Sequence, residues 1–399
     1  MSRLLFLSHR IPYPPDKGDK IRSYHLLMHL AQRHDVFLGA FVDDERDWQH
    51  ADAVAANCKQ TRLVRLHPTW GRIRSLRAFA SGEPLSVQYY ASSEMKQWVD
   101  ETVDIYGIDR AIVFSSTMAQ YLSGSRYRGL HRVADFCDVD SDKWRQYAEG
   151  KGVPMNRLYG REARAMLGYE RRVAAEFDAT LFVSEDEAAL FRRLAPETAG
   201  KVGFFDNGVD ARYFDPRISF PSPYGSAQGS VTVFTGAMDY WANIDAVTWF
   251  VHAVWPLVQA QVPLSSFWIV GSNPTAQVRA LDRCPGVRVT GRVADVRPYL
   301  AHAGVAVAPM RIARGTQNKI LEALAMARPV ACTPAAASGL RIERDEGFRV
   351  AAEPQALAAA VLDLHRLGAN PQGREAVLAQ YSWNANLASV DELLTTVSP

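Results

Sequence analysis

The feature that most constrains the fold is a repeated alternation of short, continuous apolar runs with longer amphipathic stretches. Runs such as Leu4–Ser8 and Val305–Ala308 are apolar at nearly every position instead of every second one. A strand of that kind is covered on both faces, which is typical of a parallel sheet flanked by helices. The sequence therefore predicts an α/β protein. The predicted strands are Leu4–Ser8, Val36–Val42, Arg62–Leu66, Ala111–Ser115, Arg132–Phe136, Ala179–Ser184, Val202–Phe205, Val231–Thr235, Phe267–Val270, Val287–Thr290, Val305–Ala308, Val330–Cys332 and Phe348–Val350.

The chain of 399 residues is too long for one ordinary core, and a break divides it into two halves. Residues Asp215 to Ser230 are rich in proline and glycine and have no helical period. We expect an N-terminal domain over residues 1–210 and a C-terminal domain over residues 211–379. Ligands of parallel sheets bind at the carboxyl ends of the strands, so a cleft between two such domains is the expected site. The predicted helices are Arg22–Gln32, Ser93–Tyr106, Arg157–Phe177, Glu185–Leu194, Asp245–Val258, Arg297–Ala301, Gln317–Ala327 and Pro354–Leu367.

Composition excludes several classes of protein. The apolar fraction of 48% and the charged fraction of 22% are ordinary, and the net charge is only +2. The four cysteines are far apart, which favours reduced thiols over disulfides or a zinc site. No apolar run is long enough to span a membrane, and the N-terminus lacks the pattern of a signal peptide. We expect a cytoplasmic protein that can also lie at the inner face of the plasma membrane.

The segment Pro309–Val330 carries the strongest functional signal. It reads as a strand end, a polar loop, a helix and a second strand. Free N–H groups at a helix start suit a diphosphate, and a carboxylate one turn into the helix suits a sugar hydroxyl. The alternative is a surface ion pair between Lys319 and Glu322, three residues apart on one helix. The segment predicts a nucleotide-sugar site, whose loop residues are Gly315, Thr316, Gln317 and Asn318.

Two further loops of the second half follow predicted strands. In the first, Gly236 permits close approach of a ligand to the backbone, and Met238 and Asp239 follow it. In the second, the backbone around Arg292 and Val293 is suited to pair with a base edge. We expect all five residues to contact the donor.

The first half has a basic loop after its first strand. A phosphate-bearing ligand or plain solvation accounts for its charge, and no Gly-x-Gly-x-x-Gly or Gly-Lys-Ser/Thr motif is present. We assign Gly18 to the donor and the charged residues to the acceptor. These are His9, Arg10, Lys17, Lys20 and Arg22.

An aspartate-rich segment, Asp135–Trp144, ends another strand. Its carboxylates suit acceptor hydroxyls, and we assign Asp138 and Asp140 to that role. A metal site is one alternative, since hard cations take carboxylates. Capping of the next helix by Asp140 or Ser141 is the other.

An arginine-rich stretch between Arg62 and Arg77 has no acid within it. Because aromatic and aliphatic residues are interleaved, it predicts an amphipathic surface for anionic lipid headgroups, with a plain solvated helix as the alternative. We do not expect nucleic acid as a partner, because no recognisable reading motif accompanies the charge. The arginines are Arg62, Arg65, Arg72, Arg74 and Arg77, and the interleaved residues are Trp70, Ile73, Leu76 and Phe79.

Several of these motifs together resemble glycosyltransferase family 4, whose members have the GT-B fold of two Rossmann-like domains and retain the anomeric configuration. The finer details Gly315-x-Gln317-Asn318-Lys319 and Lys17–Arg22 are similar to a bacterial subgroup associated with exosortase and exopolysaccharide loci. The matching motifs are Asp206-Asn207-Gly208-Val209-Asp210, Gly291-x-Val293-x-Asp295, Lys319-x-x-Glu322-Ala323-x-Ala325 and Tyr381-Ser382-Trp383.

The resemblance implies a hexosyltransferase that uses a UDP- or GDP-linked sugar, with no cofactor and no metal. It implies that Glu322 binds the ribose and that the backbone at Gly315–Gln317 meets the diphosphate or the sugar. It also implies that a last helix, over about residues 380–399, returns to the first domain. The acceptor is expected to be lipid-linked or a saccharide. The alternatives are a nucleotide-sugar epimerase and a non-catalytic module that binds a nucleotide sugar.

The chain departs from the family pattern at one central position. The family has a Glu-x(7)-Glu pair, and counting back from Glu322 gives Arg314 instead of the sugar-facing glutamate. We expect Lys319 and Arg314, together with the basic loop, to supply the positive charge that stabilises the leaving diphosphate. Lys319, Arg314 and Glu322 are therefore the predicted catalytic residues.

Overall fold

The structure is a computed structural model that describes residues 2–15, 18–225, 230–313, 315–343 and 347–395. The described residues divide into two compact units. The first unit lies within Met1–Asp206 and Leu387–Pro399, and the second is Asn207–Asn386. Arg314 and Lys17 lie outside the described residues.

The first unit is built on a parallel sheet. Its described part has seven strands in the order β3-β2-β1-β4-β5-β6-β7, and every pair of neighbours is parallel. The inner strand β1 is completely buried from Leu4 to Leu7, as continuous apolar runs predict. The strands are β1 Ser2–Ser8, β2 His34–Val42, β3 Gln60–Arg65, β4 Arg110–Phe114, β5 His131–Cys137, β6 Ala179–Phe182 and β7 Val202–Phe204.

Helices connect these strands and cover the sheet. The helix over Ser93–Tyr106 shows both end signals: the hydroxyl of Ser92 accepts from the N–H of Met95, and Gly107 ends the helix with φ +58°. The helices are α1 Gly18–Ala31, α2 Ala51–Ala55, α3 Pro68–Ser75, α4 Ala78–Ser81, α5 Leu85–Tyr89, α6 Ser93–Tyr106, α7 Asp140–Glu149, α8 Met155–Glu176 and α9 Glu185–Leu194.

The second unit repeats the design. Its described residues form a six-stranded sheet in the order β10-β9-β8-β11-β12-β13, again with parallel neighbours. The prediction of two parallel-sheet α/β domains is confirmed. The strands are β8 Val231–Thr235, β9 Ser266–Val270, β10 Val287–Gly291, β11 Val305–Ala308, β12 Val330–Cys332 and β13 Phe348–Val350.

The helix predicted over Asp245–Val258 is longer and interrupted. A π-helical turn at Phe250–Val254 separates two α-helices, because Pro256 has no N–H to donate to the preceding turn. The helices of this half are α10 Trp241–Trp249, α11 Trp255–Gln261, α12 Ala276–Ala280, α13 Arg297–His302, α14 Asn318–Ala325, α15 Pro334–Ala337, α16 Pro354–Leu367, α17 Pro371–Gln380 and α18 Trp383–Thr395.

The last helix, α18, ends against the sheet of the first unit. The ring of His29 contacts the carboxylate of Asp391 at 2.9 Å, and Arg110 donates to the carbonyl of Leu394 at 2.9 Å. The ring of His131 bonds the carbonyl of Leu393 at 2.7 Å. These contacts tie the end of the chain to β4, β5 and α1.

Candidate functional site

Helix α14 positions the two residues that the sequence singles out. Ile320, Leu321 and the residues from Ala323 to Ala325 are buried in the core of the second unit, which leaves Lys319 and Glu322 half-buried on the other side. The helix begins at Asn318, one residue later than predicted, and the side chain of Gln317 does not cap it. A stripe of apolar residues at helical spacing thus fixes the direction in which Lys319 and Glu322 point.

Lys319 joins α14 to the ends of two neighbouring strands. Its Nζ donates to Oδ1 of Asn243 at 2.8 Å, lies 4.6 Å from the centre of the Phe234 ring, and is 3.8 Å from Sδ of Met310. Phe234 belongs to β8, and Met310 follows β11. No ion pair joins Lys319 to Glu322 in the described part of the chain, so the alternative of a simple surface ion pair is wrong.

The pKa values of this pair are shifted toward each other. Burial lowers the pKa of Lys319 to about 8, with the nearby Glu322 acting in the opposite direction. Burial likewise raises the pKa of Glu322 to about 7, opposed by Lys319. Among the described residues, none donates a hydrogen bond to the Glu322 carboxylate, so both of its oxygens can accept from a ligand.

The loop after β8 fits closely against the loop after β9. A Cβ atom on Gly271 would lie 1.6 Å from the carbonyl oxygen of Gly236, and a Cβ on Gly236 would lie 2.8 Å from Nδ2 of Asn243. That amide nitrogen donates to the carbonyl of Ala237 at 2.8 Å. Asn243 therefore holds the loop with one amide atom and Lys319 with the other.

Met238 and Asp239, both predicted to contact the nucleotide-sugar donor, differ in whether a ligand can reach them. The side chain of Met238 is completely buried in the core, so the prediction that it contacts a ligand is wrong for the side chain. Its N–H is also used, because it donates to the carbonyl of Ser272 at 2.8 Å. Asp239 is exposed, and its Oδ2 accepts from the amide of Asn273 at 3.1 Å.

The loop before α14 is tightly packed around Gly315. Gly315 has φ +57°, and a Cβ on Gly339 would lie 2.5 Å from its carbonyl oxygen. Thr316 is buried, with its hydroxyl 3.3 Å from the carbonyl of Gly339. The Asn318 side chain accepts from Asn207 at 3.2 Å. What Gly315 and Thr316 offer a ligand is therefore backbone, as a diphosphate at a helix start requires.

The turn after β10 is open by comparison. Gly291 has φ +72° with no atom near the position of a Cβ, and Arg292 next to it is exposed, whereas Val293 is half-buried. Asp295 accepts from both Nε and Nη2 of Arg297, at 2.9 and 2.7 Å to Oδ2, and Arg297 lies 3.7 Å over the ring of Tyr213.

In the first unit, two residues of the predicted basic loop are neither in the loop nor accessible. Helix α1 begins at Gly18, so Lys20 and Arg22 are helical, and they are only 2% and 1% exposed. Lys20 Nζ donates to Asp47 at 2.6 Å. Arg22 donates to both oxygens of Asp135, at 2.8 and 3.1 Å. Both charges are neutralised by buried carboxylates of the same domain, so the prediction that Lys20 and Arg22 contact the acceptor is wrong.

His9 and Arg10 lie at the end of β1 in a compact charged cluster. The ring of His9 stacks on Phe114 at 5.7 Å, and its Nε2 is 3.4 Å from Asp19. Arg10 donates to Asp19 at 2.8 Å and to Asp43 at 2.9 Å. Burial acts to raise the pKa of Asp19, but His9 and Arg10 outweigh it and hold this pKa far below the usual range. Gly18, nearby, is exposed with open space around it.

Asp138 and Asp140 lie together at the end of β5. Lys143 Nζ reaches Asp138 at 2.8 Å and Asp140 at 3.4 Å, and the hydroxyl of Ser116 donates to Asp140 at 3.0 Å. Neither Asp140 nor Ser141 is the N-cap, because helix α7 starts at Asp140 and its N-cap is Val139, with no side-chain hydrogen bond. Asp140 and Asp142 do lie in the first turn of α7, where the helix dipole favours acids. In the described ranges, no three His, Cys, Asp or Glu side chains are grouped as a metal site would need.

The sequence did not reveal the partners of Lys319. Asn243 and Phe234 lie 76 and 85 positions before it, and nothing in their local pattern marks a contact with α14. Only the strand order, which places β8 beside β11, brings them together.

Comparison with known proteins supports the assignment of the fold. Residues 229–366 match the sequence model of the family described as Glycosyl transferases group 1. No curated protein sequence matches the chain. The matched residues lie within the second unit.

Solved structures resemble the whole chain. HepE of Anabaena, in complex with UDP-glucose, has a TM-score of 0.66 at 15% identity, with all of both chains covered. Sucrose-phosphate synthase from Thermosynechococcus elongatus has a TM-score of 0.68 at 17% identity over 98% of each chain. WaaG, a glycosyltransferase of lipopolysaccharide biosynthesis, has 0.64 at 16%, over 99% of this chain and 100% of its own. The chain has the GT-B fold of two Rossmann-like domains.

Proposed function

We propose that the protein is a glycosyltransferase that moves a sugar from a UDP- or GDP-linked donor to a lipid-linked or saccharide acceptor. The observation that carries the proposal is the arrangement on α14. A half-buried ammonium lies one turn from a carboxylate that accepts no hydrogen bond from any described residue, and both follow a loop that presents backbone at a helix start. The family match over residues 229–366 and the UDP-glucose complex of the similar HepE support a nucleotide-sugar donor.

In this proposal, Lys319 stabilises the leaving nucleoside diphosphate. The ammonium is aimed by Asn243 and partly desolvated, so its charge acts through a medium of low polarity. The N–H groups at the start of α14 add the positive end of the helix dipole. Departure of the diphosphate is the step in which negative charge develops, so these groups lower the barrier without a metal.

Glu322 is proposed to bind the ribose of the donor. Its two oxygens accept from neighbouring hydroxyls, and a vicinal diol offers two donors at the required spacing. The exposed backbone of the Gly291 turn is proposed to receive the base. Membership of glycosyltransferase family 4, retention of configuration, hexosyl transfer and a role in exopolysaccharide synthesis are proposed on the motif resemblance.

A donor titration tests the proposal. We expect calorimetry to detect binding of UDP- or GDP-glucose, and Glu322→Ala to weaken it about a hundredfold, because two hydrogen bonds to a charged group are lost at about 1.5 kcal/mol or more each. Asp363→Ala, an exposed acid on α16, is the matched control and should bind like the wild type. Equal affinity of Glu322→Ala and wild type would remove Glu322 from the site. Absence of binding to UDP-, GDP- and ADP-sugars alike would reject the function.

We also propose that the first unit lies on an anionic membrane, and α3 and α4 provide the surface. Their large apolar side chains point away from the core and are 52–69% exposed, although the same stretch is anchored beneath: a Cβ on Gly71 would meet the ring of Tyr89 at 2.6 Å. The exposed apolar residues are Trp70, Ile73, Leu76 and Phe79.

Fewer arginines of this stretch are available to anionic lipid than the sequence predicts. Arg62 pairs with Glu94 at 2.9 Å and Arg65 with Glu45, and both arginines lie on strand β3. Arg72 and Arg77, in contrast, are exposed and have no acidic partner within the described ranges. Exposed aromatic residues beside unpaired arginines are suited to the boundary of an anionic bilayer. No helix in the described residues is long and apolar enough to cross one.

A further inference from the structure

We propose that the hairpin of α7 and α8 in the first unit carries a recognition site for a neutral sugar ring, so that the acceptor presents a saccharide. This rests on the proposed function and names the class of its acceptor. Three aromatic rings form the centre of the site. Trp144 and Tyr147 lie one turn apart on α7, and Tyr159 faces them from α8. Their ring centres are 5.7 Å apart for Trp144 and Tyr147, 5.3 Å for Trp144 and Tyr159, and 6.3 Å for the two tyrosines.

These rings do not serve as core. All three are half-buried, whereas rings that only fill a domain interior, such as Phe114 and Phe177, are completely buried. The indole N–H of Trp144 and the hydroxyl of Tyr159 bond to no other described residue. A pyranose has faces of C–H groups that pack on aromatic rings and an edge of hydroxyls that needs hydrogen bonds. Half-exposed rings with polar tips meet both needs.

The polar groups beside the rings also suit hydroxyls. Asp140 is one helical turn before Trp144, on the same face, and Lys143 bridges Asp140 and Asp138. All three are partly exposed, with 24–34% of each side chain accessible. Two carboxylates against one ammonium disfavour a phosphate or an acidic sugar, because a second negative charge would be repelled. A neutral polyol can accept from the ammonium and donate to the carboxylates.

A second observation comes from the buried start of α7. Glu170 is completely buried and accepts from the N–H of Ser141 at 3.2 Å through Oε1, but its Oε2 has no partner among the described residues. The hydroxyl of Ser141, also buried, makes no well-aligned hydrogen bond to a described residue, but it is close enough to Glu170 to favour the ionised carboxylate. Buried polar atoms are normally hydrogen-bonded, so the open oxygen of Glu170 at the start of α7 points to a water or to a hydroxyl of a ligand. Burial, with Asp140, raises the pKa of Glu170 to about 8, which makes this carboxyl a donor at neutral pH.

A glycan array tests the site with the full chain. The probes are immobilised neutral oligosaccharides of glucose, galactose, mannose and N-acetylhexosamine, with sialylated and phosphorylated counterparts. We expect neutral glycans to retain the wild type, and Trp144→Ala and Asp140→Asn each to lower retention about tenfold. Trp48→Ala is the matched control, since Trp48 is a half-buried tryptophan of the same unit that packs on Arg65 at 5.3 Å. It should be retained like the wild type.

Thermal melting of each variant shows whether it is folded. If Trp144→Ala melts early, Asp140→Asn still tests the site, because this substitution removes no packing atoms. Retention on acidic probes in preference to neutral ones, equal retention of the three variants, or no retention of any neutral glycan would overturn the inference. Turnover of a nucleotide sugar is measured on the same preparations. Turnover without glycan retention rejects the saccharide site and leaves the transferase, whereas retention of neutral glycans without turnover rejects the transferase and leaves the site.

Discussion

Lys319 and Glu322 have pKa values close enough to neutrality for both to titrate in the range where enzymes work. Glu322 loses its proton above about pH 7, and Lys319 keeps its proton below about pH 8. The form with a carboxylate for the ribose and an ammonium for the diphosphate is therefore most populated between those values.

Donor affinity should follow that population. We expect the affinity for a nucleotide sugar to fall below pH 7, as Glu322 is protonated, and above pH 8, as Lys319 loses its proton. Lys319→Arg should abolish the alkaline fall, because a guanidinium stays charged, and Glu322→Gln should abolish the acidic fall at a lower overall affinity. Calorimetry from pH 5.5 to 9.5 checks this. A flat profile for the wild type, or identical profiles for all three proteins, would contradict the roles given to the pair.

At two residues, Lys20 and Arg22, the sequence led to a wrong prediction because their partners are distant in the chain. Lys20 and Arg22 stand in a charged stretch that predicts a ligand, but their partners Asp47 and Asp135 lie 27 and 113 positions away. The sequence shows which residues are charged, but it does not show which distant group neutralises each charge. The hydrogen-bond partners of a buried arginine can be identified only once the tertiary fold is known. Arg22, for example, also donates to the carbonyls of Phe205 and Phe182.

At the scale of elements, α3 and α4 make the membrane proposal testable. Replacing Trp70 and Phe79 together by alanine removes two large exposed side chains, each worth about 1–2 kcal/mol when buried in a bilayer interface. We expect cosedimentation with vesicles of phosphatidylcholine and phosphatidylglycerol to fall at least about tenfold.

The matched control is Ile105→Ala, an isolated exposed apolar residue on α6 of the same unit. It should sediment like the wild type, and vesicles of phosphatidylcholine alone should bind all proteins weakly. If the double variant sediments as well as the wild type with anionic vesicles, α3 and α4 are not the membrane surface.

Helix α16 provides a stability prediction in the second unit. His365 lies against β8, where its Nε2 meets the hydroxyl of Thr232 at 2.9 Å, and burial lowers its pKa to about 4. Its folded pKa is below the unfolded value of about 6.5, so the unfolded chain binds more protons between these pH values. We expect the free energy of unfolding to fall by up to about 3 kcal/mol as the pH drops from 6.5 to 4.

Urea denaturation at pH 7 and at pH 4.5 measures this effect. His365→Gln should reduce the difference between the two pH values, whereas the exposed His252→Gln should leave it unchanged. A difference of the same size in His365→Gln would place the acid sensitivity elsewhere.

For the whole molecule, the architecture could be predicted because several inner strands, such as β1, β2 and β11, are continuous apolar runs, and the Pro/Gly-rich break separates the two halves. Boundaries shifted where local signals compete: Gly18 and Asp19 extend α1 toward the N-terminus, and Pro256 interrupts the long helix after Trp241. The order of strands in each sheet was beyond the sequence, because a strand shows its burial but not its neighbour.

In the candidate site, too, local features could be predicted from the sequence and tertiary contacts could not. Lys319 and Glu322 could be found because spacing on one helix is a local property. Asn243, which aims Lys319, and the aromatic group of Trp144, Tyr147 and Tyr159 could not be found, because each depends on the packing of two elements. Sequence thus predicts the groups that carry charge, and structure adds the groups that hold them in place.

The most direct test of the central claim is transfer of a radiolabelled sugar from UDP- or GDP-hexose to a bacterial membrane extract, with the released nucleoside diphosphate measured in parallel. We predict transfer and release in equal amounts by the wild type, a loss of about 10²–10³ in kcat for Lys319→Ala, and wild-type rates for Arg366→Ala, an exposed arginine of α16. Undiminished transfer by Lys319→Ala, or an epimerised donor that forms without any acceptor, would contradict the account.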